Sequence, residues 1–536
     1  MMTAWGRGYA QQSGGAARYE SVSPRRVSER LNALRVFPRV SVSSIGKSPG
    51  GKDVWAVTIG EGAGKEERPA LAVLAGADGR RLYTVELALR LAERLAKAAE
   101  DSVKQLLGRY TVYILPCLNP DAVEAYFQKP ARLTARNLQS VDDDKDGRTD
   151  EDGVEDLDGD NLITVMRVAA DDGRYVPHPR DARVLVGFNA VRHAAETPRF
   201  HVHTEGKDDD KDGLFNEDGP GGVNLNRHFT FDYPWFKADA GLSPIHSPEA
   251  IAASDFLFAR YNVAAVLVYG PEDNMIEPWK GAEKPKSGDI VKAPPLKDAA
   301  VYKTFSETYG QIVKPAKGTE YDTLPPAGDV ARWAYYHYGR WTFAVNPWKF
   351  VFDKSMEKEA FEYQLLKWAE SLGYSDYHVP YKTIDHPDFP GKSVETGGIF
   401  PLYLYNPPYW ALDTLSKKQE AFALTLIGSL PKLEVAEEKK KTLSPGVTEY
   451  SLTVRNGGKL PVYPEISSQF QYVKLPSFRW EGAELNFSAG TRRGTFSGME
   501  AGESRKLAWV MTGKGMATVK VGAPQTGFFT REIIRD

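Results

Sequence analysis

The sequence predicts an α/β fold, in which a mixed and mostly parallel central sheet is flanked by helices, followed by a C-terminal β-sandwich. Three observations predict it. Short apolar runs alternate with helical segments as far as residue 372, several of those runs are apolar on both faces, and the rhythm changes after residue 430. With 536 residues, 42% hydrophobic and 26% charged, the chain can bury one large core and a smaller one.

Residues 1–18, rich in Gly, Ser and Gln, read as disordered, and the α/β domain is placed at 19–430. Strands are expected at 54–60 and 70–76. An amphipathic helix follows at 84–97, where Leu87, Leu91 and Leu95 recur at four-residue spacing. The alternation continues with helix 99–108, strand 110–118, helix 247–260, strand 263–269, helix 300–314, strand 341–346 and helix 355–372. From 431 to 536, after the charged run at 437–441, alternating segments separated by Gly and Pro turns read as the sandwich domain.

Lys and Arg total 68 against 71 Asp and Glu, a net charge of -3, so no basic excess points to nucleic acid. No run approaches the roughly 20 apolar residues that cross a bilayer, so no membrane span is expected. The opening residues lack the apolar stretch of a signal peptide. The single cysteine, Cys117, lies in an apolar run and reads as a core thiol, and a Cys-based zinc cluster is excluded.

The acidic residues concentrate in an insertion at about 140–220. Asp recurs at alternate positions: Asp142, Asp144, Asp146 and then Asp150; Asp156, Asp158, Asp160; and Asp208, Asp210, Asp212. Carboxylates at the first, third and fifth places of a tight loop converge on one hard cation, and the glycines Gly147 and Gly213 permit the turn. Packing them without a cation costs about 2 kcal/mol per pair at about 8 Å and an effective dielectric near 20. Calcium is the expected ligand. Weakly binding extracellular calcium loops of this type place the protein outside the cytoplasm, in an extracellular or periplasmic compartment.

Four further runs occur in order: LPCLNPDAVEAYF (115–127), GGVNLNRHF (221–229), SPIHSPEA (243–250) and AGDVARWAYYHYGRWTFAVNPW (327–348). On these the chain resembles the zinc metallocarboxypeptidases over residues 20–375, and the resemblance implies a carboxypeptidase-like fold with Asp-rich insertions like those of secreted bacterial members. It also implies a zinc ion held by His-x-x-Glu and a later His, with a Glu as general base. The matching positions carry Asp78, Arg81, Leu267 and Asn346, and the Asp that precedes the Trp in the family is Arg332. A guanidinium about 4 Å from a divalent cation is repelled by roughly 8 kcal/mol at an effective dielectric near 20, leucine has no donor, and asparagine has no useful pKa. Zinc is therefore not expected at the family site. Three positions that the resemblance assigns to the substrate remain: Arg80, Asn226 and Arg227, guanidiniums and an amide suited to a carboxylate.

The expectation is a carboxypeptidase-like protein that lacks peptidase activity, binds peptide C-termini or another carboxylate, and carries calcium. Two alternatives stand beside it. One is an active peptidase or amidohydrolase with a relocated metal, for which His193, Glu196, His201, His203 and Glu205 are the candidates. The other is a structural extracellular module. Asp78, Glu272 and Asp273 are expected to enter salt bridges with Arg80, Arg81 and Arg332 rather than form a new metal site.

Overall fold

A computed structural model describes residues 19–535 except 143–146, 195, 212, 217, 220, 238, 284–290, 317, 322–326, 357, 471 and 483–484. The first 18 residues, read as disordered, and the predicted ligands Asp144, Asp146 and Asp212 lie outside the described residues.

The central sheet contains β1 (Val40–Lys47), β2 (Asp53–Ile59), β3 (Ala70–Ala75), β4 (Thr111–Leu115), β9 (Val263–Tyr269) and β10 (Trp341–Val345), in the order β1-β2-β4-β3-β9-β10. The run β4-β3-β9-β10 is parallel, and β1 and β2 join it antiparallel, so the sheet is mixed. Every residue of β3, β4, β9 and β10 is buried, because helices cover both faces of this part.

The helices are α1 (Pro24–Leu34), α2 (Leu82–Ala96), α3 (Asp101–Arg109), α4 (Pro120–Ala125), α5 (Pro248–Phe258), α6 (Leu296–Val313), α7 (Val330–Tyr336), α8 (Phe361–Ser371), α9 (Leu402–Tyr405) and α10 (Leu412–Ser429). The expected amphipathic helix proves to be α2, but only Arg90, Glu93 and Arg94 escape burial. It lies between the sheet and the helices α1 and α10, so one apolar stripe is not enough. Its buried Glu86 is held by Arg30 and Arg90.

Besides the Asp-rich loops, the insertion contains four strands that are absent from the sequence reading. They are β5 (Val165–Ala169), β6 (Tyr175–His178), β7 (Asp181–Gly187) and β8 (Phe200–Thr204). With β11 (His378–Ile384) and β12 (Val394–Ile399) they form a second sheet, ordered β11-β12-β5-β8-β6-β7 and antiparallel throughout. Its own buried cluster is small, centred on Met166, Val168 and Val394.

Beyond residue 430 two four-stranded antiparallel sheets follow. One is β13 (Leu433–Ser444), β14 (Val447–Asn456), β18 (Ser504–Thr512) and β16 (Asn486–Ala489); the other is β17 (Arg493–Thr495), β15 (Ser477–Gly482), β19 (Gly515–Ala523) and β20 (Gly527–Arg535). Both contribute to one apolar cluster, Tyr450, Leu452, Trp509 and Met511 from the first and Trp480, Val519, Val521 and Ile533 from the second. The Trp341 indole donates to the Pro461 carbonyl at 2.9 Å, and buried Asp298 accepts from the Glu465 amide at 2.8 Å, which ties this part to β10 and to α6.

Candidate functional site

In sheets of this kind side chains for binding collect beyond the carboxyl ends of the parallel strands. After β3 the chain turns at Gly76, whose φ is +67° and whose added Cβ would lie 2.8 Å from Val85 Cγ2, so a side chain is excluded on both counts. The turn delivers Asp78, Arg80 and Arg81 to the start of α2.

Asp78 is buried. Arg80 grips its carboxylate with two parallel bonds, Nε to Oδ1 at 2.9 Å and Nη2 to Oδ2 at 3.0 Å, and Arg81 Nε lies 3.5 Å from Oδ2. Burial works against the charged form of Asp78, but the Arg80 and Arg81 guanidiniums outweigh it and hold the carboxyl below its usual range. The Arg81 side chain is only 4% exposed and reaches Glu320 at 3.2 Å, and Glu320 also meets Lys349 at 3.3 Å. Arg80 lies over the Tyr405 ring at 4.6 Å and donates to its hydroxyl at 3.1 Å. Asn406 clamps the same turn, donating to the Arg80 carbonyl at 2.7 Å and accepting from the Tyr83 amide at 3.2 Å.

Asn346, at the end of β10, is buried and accepts from the Tyr83 hydroxyl at 2.8 Å. Thus Asp78, Arg80, Arg81 and Asn346 come together, with Tyr83 and Glu320 as connectors. Leu267 does not join them: it sits within β9, fully buried, between Val73 and Phe343 on the neighbouring strands. At the positions that the resemblance assigns to zinc, the only carboxylate is already bracketed by two guanidiniums, and an arginine and a leucine stand at the other two. These side chains do not form a zinc donor set.

Glu272 pairs with Arg332 at 3.6 Å and accepts from the Trp279 indole, while Arg332 also approaches Asp329 at 3.7 Å. Asp273 instead caps a turn, accepting from the amides of Met275 and Ile276. Arg227 and Asn226 lie in the 3-10 turn Leu225–Arg227, where Arg227 holds Asp239 at 2.8 Å. The Arg227 Nε is buried without a hydrogen-bond acceptor among the described residues.

The histidines and acids considered for a relocated metal are spread over other contacts. His193 accepts from the Asn189 amide, His201 pairs with Asp172 at 3.0 Å, His203 packs on Phe215, and Glu205 accepts from Thr164 and Leu157. Among the described residues one group of side chains has a metal-like convergence, Asp156, Asp158 and Asp160, whose oxygens lie within 4.8 Å of one another. In the other two loops Asp142 accepts from the Gly147 amide at 3.1 Å and Asp208 from the Gly213 amide at 3.0 Å, the same turn in both. Asp150 accepts from Ser140 and Gly221.

Glu320, Lys349, Tyr83, Tyr405 and Asn406 are absent from the sequence reading. Tyr83 is the one that adjacency to Arg81 signals; the others arrive from distant segments.

A family model described as zinc carboxypeptidase (Peptidase_M14) matches residues 31–362, and the chain belongs to that family. A second model, a domain of unknown function (DUF8731), matches residues 432–534. A zinc carboxypeptidase of Saccharothrix mutabilis subsp. capreolus is 32% identical over 88 residues, 16% of this chain and 20% of that protein, so the match spans one fifth of that relative's length. Among solved structures, thrombin-activatable fibrinolysis inhibitor is similar at a TM-score of 0.43 and 12% identity, covering 77% of this chain and 76% of that one. The metallo-carboxypeptidase of Burkholderia cenocepacia is similar at a TM-score of 0.32 and 16% identity, covering 60% and 59%.

Proposed function

We propose that this member of the zinc carboxypeptidase family is not a peptidase, and that a buried ion-pair network stands in place of its metal. The observation that carries the reading is the Arg81 guanidinium, buried between Asp78 and Glu320 where the resemblance calls for a zinc ligand. A divalent cation there meets a fixed positive charge and no imidazole. A ligand carboxylate falls to Arg227 and Asn226, because the Arg80 fork is already filled by Asp78. A peptide C-terminus or another carboxylate fits there. Calcium at the Asp-rich loops, a sandwich domain from residue 431 and an extracellular or periplasmic location belong to the same reading. The convergence of Asp156, Asp158 and Asp160 supports the calcium. No helix among the described residues is long and apolar enough to cross a membrane.

The test is metal content by mass spectrometry on protein purified without chelator, together with cleavage and binding assays on peptides with free C-termini. The expected result is no stoichiometric zinc, no cleavage, and binding that Arg227→Ala abolishes. One zinc per chain with cleavage would overturn the proposal, and binding that survives Arg227→Ala would remove its ligand site.

A further inference from the structure

Among the described residues strand β13 is the outermost strand of its sheet and pairs with β14 on one side only. Two bulges, between Val435 and Glu437 and between Thr442 and Ser444, bracket a regular stretch from Glu437 to Thr442. Residues 436–445 are all exposed. Along the regular stretch the side chains run Glu437, Glu438, Lys439, Lys440, Lys441. An open strand edge offers its backbone N–H and C=O groups to another strand, and charged side chains ordinarily keep copies apart there because like charges meet.

The order of the charges reverses that outcome for one arrangement. We propose that the free edge of β13 pairs antiparallel with β13 of a second copy, about a two-fold axis at Lys439. Glu437 then faces Lys441 of the second copy and Glu438 faces its Lys440, and the symmetry repeats both pairs, giving the self-complementary patch that a two-fold interface needs. Lys439 faces its own copy, and this contact is relieved within each chain by Glu437, whose carboxylate lies 2.6 Å from Lys439 Nζ. Other arrangements are penalised. A parallel in-register pair sets every charge against its like. Shifting the axis by one residue sets Glu438 on Glu438 in one direction and Lys439 on Lys441 in the other. The bulges limit the contact to about six residues, so association is modest, and its ionic part weakens as salt screens it.

Sedimentation velocity on the full chain, over a concentration series in low salt and again in molar salt, tests this directly. The expected result is a reversible dimer of the 59.5 kDa chain that dissociates as salt rises. The double variants Glu437→Lys with Glu438→Lys, and Lys440→Glu with Lys441→Glu, are each expected to be monomeric, while an equimolar mixture of the two forms a heterodimer. All four positions are exposed, and Glu438 also accepts from the Tyr450 hydroxyl at 2.9 Å and lies 3.4 Å from Arg531, so circular dichroism checks that both variants retain the fold. A monomeric wild type at every concentration overturns the proposal, and so does a dimer that both double variants leave intact.

Discussion

Glu249, the second residue of α5, is fully buried, and both of its carboxylate oxygens accept from the Asn137 amide, at 3.2 and 3.1 Å. Burial, reinforced by the nearby Asp121 carboxylate, pushes its pKa up to about 7. An acid whose folded pKa is raised stabilises the fold fully below its unfolded value, near 4.5, and that stability is lost as pH rises through about 7. The shift corresponds to about 3 kcal/mol. Chemical unfolding at a series of pH values should show wild-type stability falling across this window, and Glu249→Gln, which keeps an acceptor for Asn137, should flatten the fall; parallel profiles would refute the assignment. At this scale sequence is informative where function is local. Asp78, Arg80 and Arg81 are neighbours in one turn, so their charges can be read together from the chain. Their partners are not: Glu320 is 239 residues from Arg81, and Tyr405 is 325 residues from Arg80.

The turn between β3 and α2 acts as a unit, because its arginines bridge three segments: the turn itself, the stretch at Glu320, and α9 with Tyr405 and Asn406. Removing one partner of a buried ion pair strands the other, which costs about 3–5 kcal/mol. Arg81→Ala leaves Asp78 with Arg80 and Glu320 with Lys349, so it is expected to lower stability by less than that, about 1–3 kcal/mol, in urea unfolding; a loss well under 1 kcal/mol would show the network to be dispensable. The strands and helices of the central layer were readable because burial on both faces leaves long apolar runs. The second sheet was not. Its strands are short, β12 pairs with β5 across more than 200 residues, and a half-exposed strand of five residues carries too few alternations to separate it from loop.

Across the whole molecule, the two longer Asp-rich loops are laced together. The fully buried Asp152 carboxylate accepts from the Asp209 amide at 3.1 Å and the Asn216 amide at 2.7 Å, and Val154 bridges Gly206. A cation bound at one loop would therefore brace the other. Calcium at a hundred times its dissociation constant would add about 2.7 kcal/mol. Thermal unfolding should shift upward with calcium and downward after dialysis against chelator, with magnesium much less effective; a melting temperature indifferent to calcium would exclude a structural role. By itself the sequence determined the α/β class, the change of architecture near residue 430 and family membership, because each is written in local pattern or in residue identity. Only the tertiary structure decided that Arg80 is occupied by Asp78, that Arg81 is neutralised by Glu320, and that Leu267 lies in the core away from both. Those outcomes depend on which distant segments share one desolvated volume, and burial brings that about without leaving a local signature.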